Sequence, residues 1–384
     1  MDNLKILHIT PWLKSERTPL IAPFVLDLVR SLQPFAYNEI LHIEIDETKT
    51  GIFPRIKFEQ EKNGTININR VRFINFPNKW RVYELLCYYY INRFLTNNYK
   101  RFDVVNFYIA YPNATFIKKF IRKFPQILFT IYEVWTAYRN GFNLPKTSPG
   151  RKRIENIFSE NPNLFVISTA QGEDIQSFCS QPVKFEVVPG IVDTSIYKFN
   201  SQIATNEYQI SSINWWSAMK NGDVLIRAFK LVSQKLPHSR LVLGGGGYLL
   251  NSMKSLATEL AIDHKIDFTG PLTKNQVAEI LTNSHVYCQS SIYETFSVIC
   301  IDALCSGTPV IATNIGGMKD FINPGNGLLV NSMEPSDWAN AILKLIENLK
   351  TYDTKTNSEI IKEKYSPEKV GELFYEKIQK LRGH

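Results

Sequence analysis

The apolar positions of this chain fall into short runs that alternate with stretches of helical periodicity. Residues 6–10 form a first compact apolar run, and the apolar residues over 24–32 recur at the spacing of one helix face. Residues 104–107, 127–131 and 165–168 read as further strands, with a helix predicted over 113–124. After Asn200 the series restarts. Strands are predicted over 209–211, 241–243, 265–268, 286–288 and 309–312, and helices over 223–236, 249–260, 276–283 and 295–306. Strands alternating with helices of about 10–15 residues imply βαβ units and parallel sheets. Two such series imply an α/β protein built of two Rossmann-like doubly wound domains. The first domain is placed at 1–192 and the second at 193–366, with polar and turn residues gathered over 189–206. The last segment, 367–384, reads as an amphipathic helix expected to pack back on the first domain.

The length of 384 residues suits two domains. With 44% hydrophobic and 21% charged residues, the composition excludes a disordered, collagen-like or coiled-coil chain. No apolar run approaches the ~18 residues of a membrane span, and the start of the chain is too short and polar to be a secretory leader. The five cysteines are scattered without a Cys-x-x-Cys pair, which argues against a disulfide framework or zinc site and for a reduced, cytoplasmic setting.

Charge changes the picture. The chain carries +8 overall, yet residues 51–160 hold 19 Lys/Arg against 7 Asp/Glu, a local +12. Within that region 81–94 mixes Arg81 and Arg93 with tyrosines, and 113–124 sets Phe116, Ile117, Phe120, Ile121 and Phe124 on one face against Lys118, Lys119, Arg122 and Lys123 largely on the other. The plain reading is two amphipathic helices with solvated basic faces. The alternative is peripheral contact with an anionic membrane or with an anionic lipid-linked substrate, at the inner face of the membrane. No nucleic-acid motif is present, and no nucleic-acid partner is expected.

The candidate chemistry lies in the second half. Glu294 sits in a predicted strand-to-helix loop, and Phe296, Ser297 and Val298 are read as the first residues of the helix, with backbone N–H groups facing the loop. Such an end suits a phosphate or diphosphate. Asp302, eight residues beyond Glu294, is expected to reach ribose hydroxyls. Gly307 and Pro309 end the helix. A glycine run at 244–247 after a strand is weak evidence for a nicotinamide cofactor by itself.

This stretch resembles the retaining glycosyltransferases of family 4 (group 1), which have the GT-B fold of two domains facing across a cleft. Their signature is a Glu, seven residues and a second Glu, then a small-Gly-x-Pro-Val run; here the pair is Glu294 and Asp302, followed by Ser306-Gly307-Thr308-Pro309-Val310. Lys220-Asn221-Gly222 is similar to the family's lysine loop, and Gly245, Thr269 and Gly270 fall where strands flank the nucleotide base. Ile315-Gly316-Gly317 and Asn326-Gly327-Leu328 match downstream motifs. The resemblance implies a sugar nucleotide, UDP- or GDP-linked, as substrate with no further cofactor and no obligate metal, and no Asp-x-Asp motif stands out. It implies that Lys220 holds the diphosphate, Glu294 binds donor-sugar hydroxyls as a catalytic residue, and a glycan or lipid-linked acceptor receives the sugar in cell-surface polysaccharide synthesis.

The first half departs from the pattern. Ile21-Ala22-Pro23 resembles the family's first loop with Pro23 for the usual Gly. Tyr132-Glu133-Val134-Trp135-Thr136 resembles a Glu-His-Trp-Thr segment with Val134 for the His, leaving Glu133 as the candidate catalytic carboxylate there. Trp215 stands where an Arg usually precedes the lysine by five residues. These losses open two alternatives: a non-catalytic glycosyltransferase-like subunit or binding protein, and a sugar-nucleotide epimerase.

Overall fold

The computed structural model describes residues 4–13, 23–46, 55–74, 80–159, 162–201 and 207–383. The Ile21-Ala22 part of the expected first loop, and residues 202–206, lie outside the described residues. The chain divides into two compact units, Met1–Pro189 with Pro367–His384, and Gly190–Ser366.

The first unit runs β1 (Leu4–Thr10), α1 (Pro23–Ser31), β2 (Ala36–Asp46), β3 (Arg55–Asn63), β4 (Ile66–Ile74), α2 (Trp80–Asn98), β5 (Val104–Tyr108), α3 (Ile117–Lys123), β6 (Leu128–Glu133), α4 (Pro149–Phe158), β7 (Asn163–Val166), α5 (Thr169–Phe178) and β8 (Glu186–Val187). Its sheet has the order β3-β4-β2-β1-β5-β6-β7-β8, parallel except for β3. A parallel sheet covered on both faces needs strands that are apolar on both faces, which is why β1 and β5 are buried almost throughout. The core is aromatic, with Phe107, Phe120 and Phe129 stacked between β5, α3 and β6. No apolar run marks β3. It is the edge strand and is exposed along most of its length, and its hairpin with β4 turns at Gly64, whose φ of 61° suits glycine. Arg70 and Arg72 on β4 are buried and pair with Glu61, and with Glu44 and Glu59.

The second unit runs β9 (Tyr208–Ile213), α6 (Gly222–Lys235), β10 (Ser239–Gly244), α7 (Leu250–Glu259), β11 (Ile266–Gly270), α8 (Lys274–Thr282), β12 (Val286–Gln289), α9 (Val298–Cys305), β13 (Val310–Thr313), β14 (Gly327–Val330), α10 (Pro335–Glu347) and α11 (Thr354–Tyr365). Its six strands are all parallel, in the order β11-β10-β9-β12-β13-β14. The final helix, α12 (Pro367–Arg382), belongs to the first unit and packs on α1. Among the described residues no helix is long and apolar enough to cross a membrane.

Two helices start later than the sequence pattern predicts. α3 begins at Ile117 instead of 113, because the Thr115 hydroxyl donates to the Pro112 carbonyl and the Ala114 N–H to the Ala110 carbonyl, which holds 112–116 as a turn. α9 begins at Val298, so Phe296 and Ser297 precede it. The Phe296 ring is fixed against Phe321 and Tyr365, the Gly317 N–H bonds the Thr295 carbonyl, and Ser297 keeps an extended φ/ψ of −110°/99°.

The helix pair α1–α12 leaves no room for a side chain at Gly371, where an added Cβ would lie 2.1 Å from the Ser31 carbonyl oxygen. Gly371→Ala is therefore expected to destabilise the first unit by about 2 kcal/mol or more, despite alanine's ~1 kcal/mol helix advantage. Urea unfolding of the two proteins measures this, and equal stability would contradict the packing.

The first unit also buries two neutral histidines. Burial lowers His8 to about 4, with its Nε2 on the Asn38 Oδ1 at 2.9 Å acting the other way. Burial, then the charge of Arg70, lowers His42 to about 3. Both lie below the unfolded value of 6.5, so the neutral rings stabilise the fold fully above that value. The contribution is lost as pH falls toward the folded values. Between about pH 7.5 and about pH 4.5 each histidine should withdraw on the order of 2–3 kcal/mol. Urea unfolding at the two pH values should show a smaller acid loss in His8→Asn than in the parent.

Candidate functional site

In open parallel sheets, ligands sit at the carboxyl ends of the strands where the strand order reverses. In the second unit that point lies between β9 and β12, which are adjacent while their chain-order neighbours run outward on opposite sides. The segments leaving these two strands carry the site. After β9 come Asn214 to Lys220; after β12 come Ser290 to Ser297.

The Lys220 ammonium and the Glu294 carboxylate meet as an ion pair through Oε1. The same oxygen accepts from Ser291 Oγ at 2.9 Å and from Gln289 Nε2 at 3.1 Å. Gln289 is locked in turn. Its Nε2 donates to Asn214 Oδ1 at 2.9 Å and to Ser291 Oγ at 2.8 Å, and its Oε1 accepts from the Tyr287 hydroxyl at 2.8 Å. Asn214, Gln289 and Ser291 are buried, so the carboxylate is aimed by a rigid amide–hydroxyl network. The Glu294 side chain is 12% exposed and that of Lys220 24%. The lysine backbone is held too: Ser290 Oγ donates to the Lys220 and Asn221 carbonyls at 3.0 Å, and the Ile292 N–H to the Met219 carbonyl at 2.8 Å.

Glycines allow the loops to close on one another. At Gly316 (φ 51°) a Cβ would lie 1.7 Å from the Glu294 carbonyl oxygen. At Gly245 (φ 98°) it would lie 2.0 Å from the Asn214 carbonyl oxygen. The Gly245 N–H donates to the Gly270 carbonyl at 2.8 Å, which brings together the expected base-flanking residues Gly245 and Gly270, with Thr269 exposed beside them. The Trp216 N–H bonds the Gly246 carbonyl, and the Ala218 N–H the Tyr248 hydroxyl, so the lysine loop and the glycine loop form one wall. Trp215, Met219, Tyr248 and Ile292 are exposed around it.

The remaining expected residues lie at the start of α9 and within it. Val298 is the first residue of α9, with Ser297 capping it by backbone alone. Phe296 contributes an anchored ring. Asp302 lies just over one turn into α9 and is 5% exposed, among the buried thiols of Cys300 and Cys305. The Asn214–Gln289–Ser291 network escaped the sequence reading. Its one signal is the polar run Gln289-Ser290-Ser291 directly after an apolar strand.

In the first unit, Glu133 ends β6 and is fully buried. Its Oε1 accepts from the Val134 and Trp135 N–H groups at 2.9 and 2.8 Å; its Oε2 accepts from the Ala110 N–H and the Tyr138 hydroxyl, both at 2.8 Å. Burial pushes this carboxyl up, and the four hydrogen bonds act against that. Ala110 follows Ile109, a β-branched residue at φ 64°, so Glu133 stabilises a strained turn after β5.

Comparison with known proteins bears on the second unit most directly. Residues 193–365 match the model of the family described as glycosyl transferases group 1. A D-inositol 3-phosphate glycosyltransferase of Corynebacterium aurimucosum is 27% identical over 239 residues, 57% of this chain and 56% of that one. A phosphatidylinositol N-acetylglucosaminyltransferase subunit of Arabidopsis thaliana is 25% identical over 203 residues, covering 52% and 45%. The chain spans about half the length of the curated relatives it matches. Among solved structures, sucrose-phosphate synthase from Thermosynechococcus elongatus superposes with a TM-score of 0.76 at 14% identity, over 99% of this chain and 100% of that one. Anabaena HepE, solved with UDP-glucose, superposes with a TM-score of 0.70 at 14% identity, over 100% of both chains. The two parallel-sheet units thus have the fold of GT-B glycosyltransferase structures. Nearly all of the second unit, residues 193–365, is similar in sequence to the group 1 glycosyltransferase model.

Proposed function

We propose that the protein transfers a sugar from a nucleoside-diphosphate donor to a hydroxyl of a glycan or lipid-linked acceptor, with retention of anomeric configuration, in cell-surface polysaccharide synthesis. The observation that carries this reading is the Lys220–Glu294 pair at the switch point of the second unit, aimed by Gln289 and Ser291. Breaking a glycosyl–phosphate bond leaves negative charge on the departing diphosphate, and a preorganised ammonium stabilises it where it develops. The first N–H groups of α9, those of Val298 and Ile299, have no preceding helical carbonyl to bond and would add to that field. Glu294 would accept hydrogen bonds from donor-sugar hydroxyls, and the exposed wall from Gly245 to Gly270 would meet the base. Anabaena HepE binds UDP and UDP-glucose, which favours a UDP-linked donor over a GDP-linked one.

A second reading, in which the protein binds the donor without turning it over, is favoured by Trp215 at the place of the expected second cation. Turnover separates the two.

Thermal unfolding with saturating UDP, UDP-glucose, GDP and GDP-mannose tests the binding half. A ligand at about 100 times its dissociation constant adds about 2.7 kcal/mol, a rise of a few degrees. One nucleotide should raise Tm in the parent, and Lys220→Ala should lose most of that rise. Glu294→Gln should keep the nucleotide shift and lower transfer to acceptor by about 10²-fold or more. If none of these nucleotides shifts Tm, the donor reading fails.

A further inference from the structure

We propose that α2, with β3 and α3 beside it, is a docking face for an anionic lipid bilayer. This inference concerns the first unit and does not depend on the donor site.

The face begins with the helix itself. Tyr83, Cys87, Ile91 and Leu95 recur at four-residue spacing and are buried, so they form the inner face of α2. The opposite side of a soluble helix is normally polar. Here it carries Val82, Leu85 and Tyr89, at 37%, 52% and 51% exposure, followed on the same face by exposed Arg93. These apolar side chains are not isolated. Tyr89 packs edge-on against Tyr90 at 5.0 Å, and Tyr90 against Phe58 of β3 at 5.6 Å. Phe58 is 64% exposed, and Ile56 on the same strand is 38% exposed. Ile121 of α3 is 42% exposed. Six of the large exposed apolar residues of the described chain therefore fall between positions 56 and 121, inside the basic region. A clustered apolar surface of this kind marks an interaction site.

The charge around it selects the occupant. Residues 80–124 hold eight Lys/Arg and two Asp/Glu, and one of those two acids, Glu84, is buried in an ion pair with Arg153. Lys119 sits over the rings of Tyr88 and Phe116 at 5.1 and 5.0 Å, and Lys123 bridges α3 to Asn92 and Thr96 of α2. On β3, Glu59 and Glu61 are engaged by Arg72 and Arg70. The rim thus presents cations around tyrosine and aliphatic side chains. That combination matches the boundary between anionic headgroups and acyl chains, where apolar insertion and headgroup charge act together. A protein partner would need complementary acidic and apolar patches. A second copy of this chain would set basic rim against basic rim, which disfavours self-association through this face.

Co-sedimentation of the full chain with vesicles tests the proposal. Phosphatidylcholine vesicles with about a third phosphatidylglycerol should bind it, and pure phosphatidylcholine should not. Raising NaCl from about 0.05 M to about 0.5 M should weaken binding strongly, because the charges lie at the surface. Two variants separate the contributions. Leu85→Ser with Tyr89→Ser should reduce partitioning about tenfold or more. Arg93→Gln with Lys119→Gln should reduce it about fivefold per charge removed. All four side chains are on the surface, so circular dichroism and Tm should match the parent. Binding equal on neutral and anionic vesicles would overturn the proposal. So would partitioning unchanged in both variants. A dimer abolished by the Leu85 and Tyr89 changes, without vesicle binding, would assign the face to a second copy instead.

Discussion

The second unit is organised around one constraint, that a carboxylate placed almost out of water has to be compensated. Glu294 meets it with the Lys220 ammonium, the Ser291 hydroxyl and the Gln289 amide on a single oxygen. Leaving such a group without partners costs several kcal/mol. The surrounding structure follows from keeping those partners in place. Gln289 has to end β12 with its amide turned toward Asn214, so Asn214 has to follow β9 beside it. The Lys220 loop has to return across the strand ends, and the contacts of Ser290 and Ile292 hold it there. Gly316 and Gly245 are the positions where those loops meet too closely for a side chain.

The first unit solves a related problem without a cation. Glu133 is buried more deeply than Glu294, and its four acceptor positions are filled by three backbone N–H groups and a tyrosine hydroxyl. Every donor belongs to a loop leaving β5 or β6, or to Tyr138 just beyond. The two carboxylates therefore act differently although both sit at strand ends. Glu133 spends its lone pairs on holding two loops and a strained Ile109 in place, which is a positioning role. Glu294 is engaged through one oxygen by an ammonium, a hydroxyl and an amide, all from side chains.

Much of this is legible in the sequence. The βαβ alternation follows from apolar runs that parallel strands require, and the Glu294, Lys220 and glycine positions stand out as a set at loop sites. The misses have physical causes. β3 is an exposed edge strand, so no burial pattern marks it. α3 and α9 start later than periodicity predicts, because Thr115 bonds back to its own turn and Phe296 is anchored by Phe321 and Tyr365, neither of which a periodicity can report. The Asn214–Gln289–Ser291 network depends on β9 and β12 being neighbours, and strand order is not written in either segment. The exposure of Val82, Leu85 and Tyr89 is hidden for a related reason. α2 carries apolar or aromatic residues on its exposed side as well as its buried one, and only the packed structure tells which side meets solvent.

On the proposed function, the closed ion pair has a consequence for donor binding. With Trp215 at the place of the expected second cation, the site offers a diphosphate one lysine and a helix start. That lysine is already neutralised by Glu294. A diphosphate carries more charge than a carboxylate and competes for the ammonium on favourable terms. When it draws Lys220 away, Glu294 keeps the Ser291 and Gln289 hydrogen bonds on the oxygen that the lysine leaves. The carboxylate is then aimed and newly able to accept from a sugar hydroxyl. One exchange would arm both halves of the donor site together, and the cost of parting the pair would be recovered most fully by a ligand that carries both a diphosphate and a hydroxyl-bearing sugar. Discrimination against bare phosphate then follows from the pair itself, without a dedicated gate.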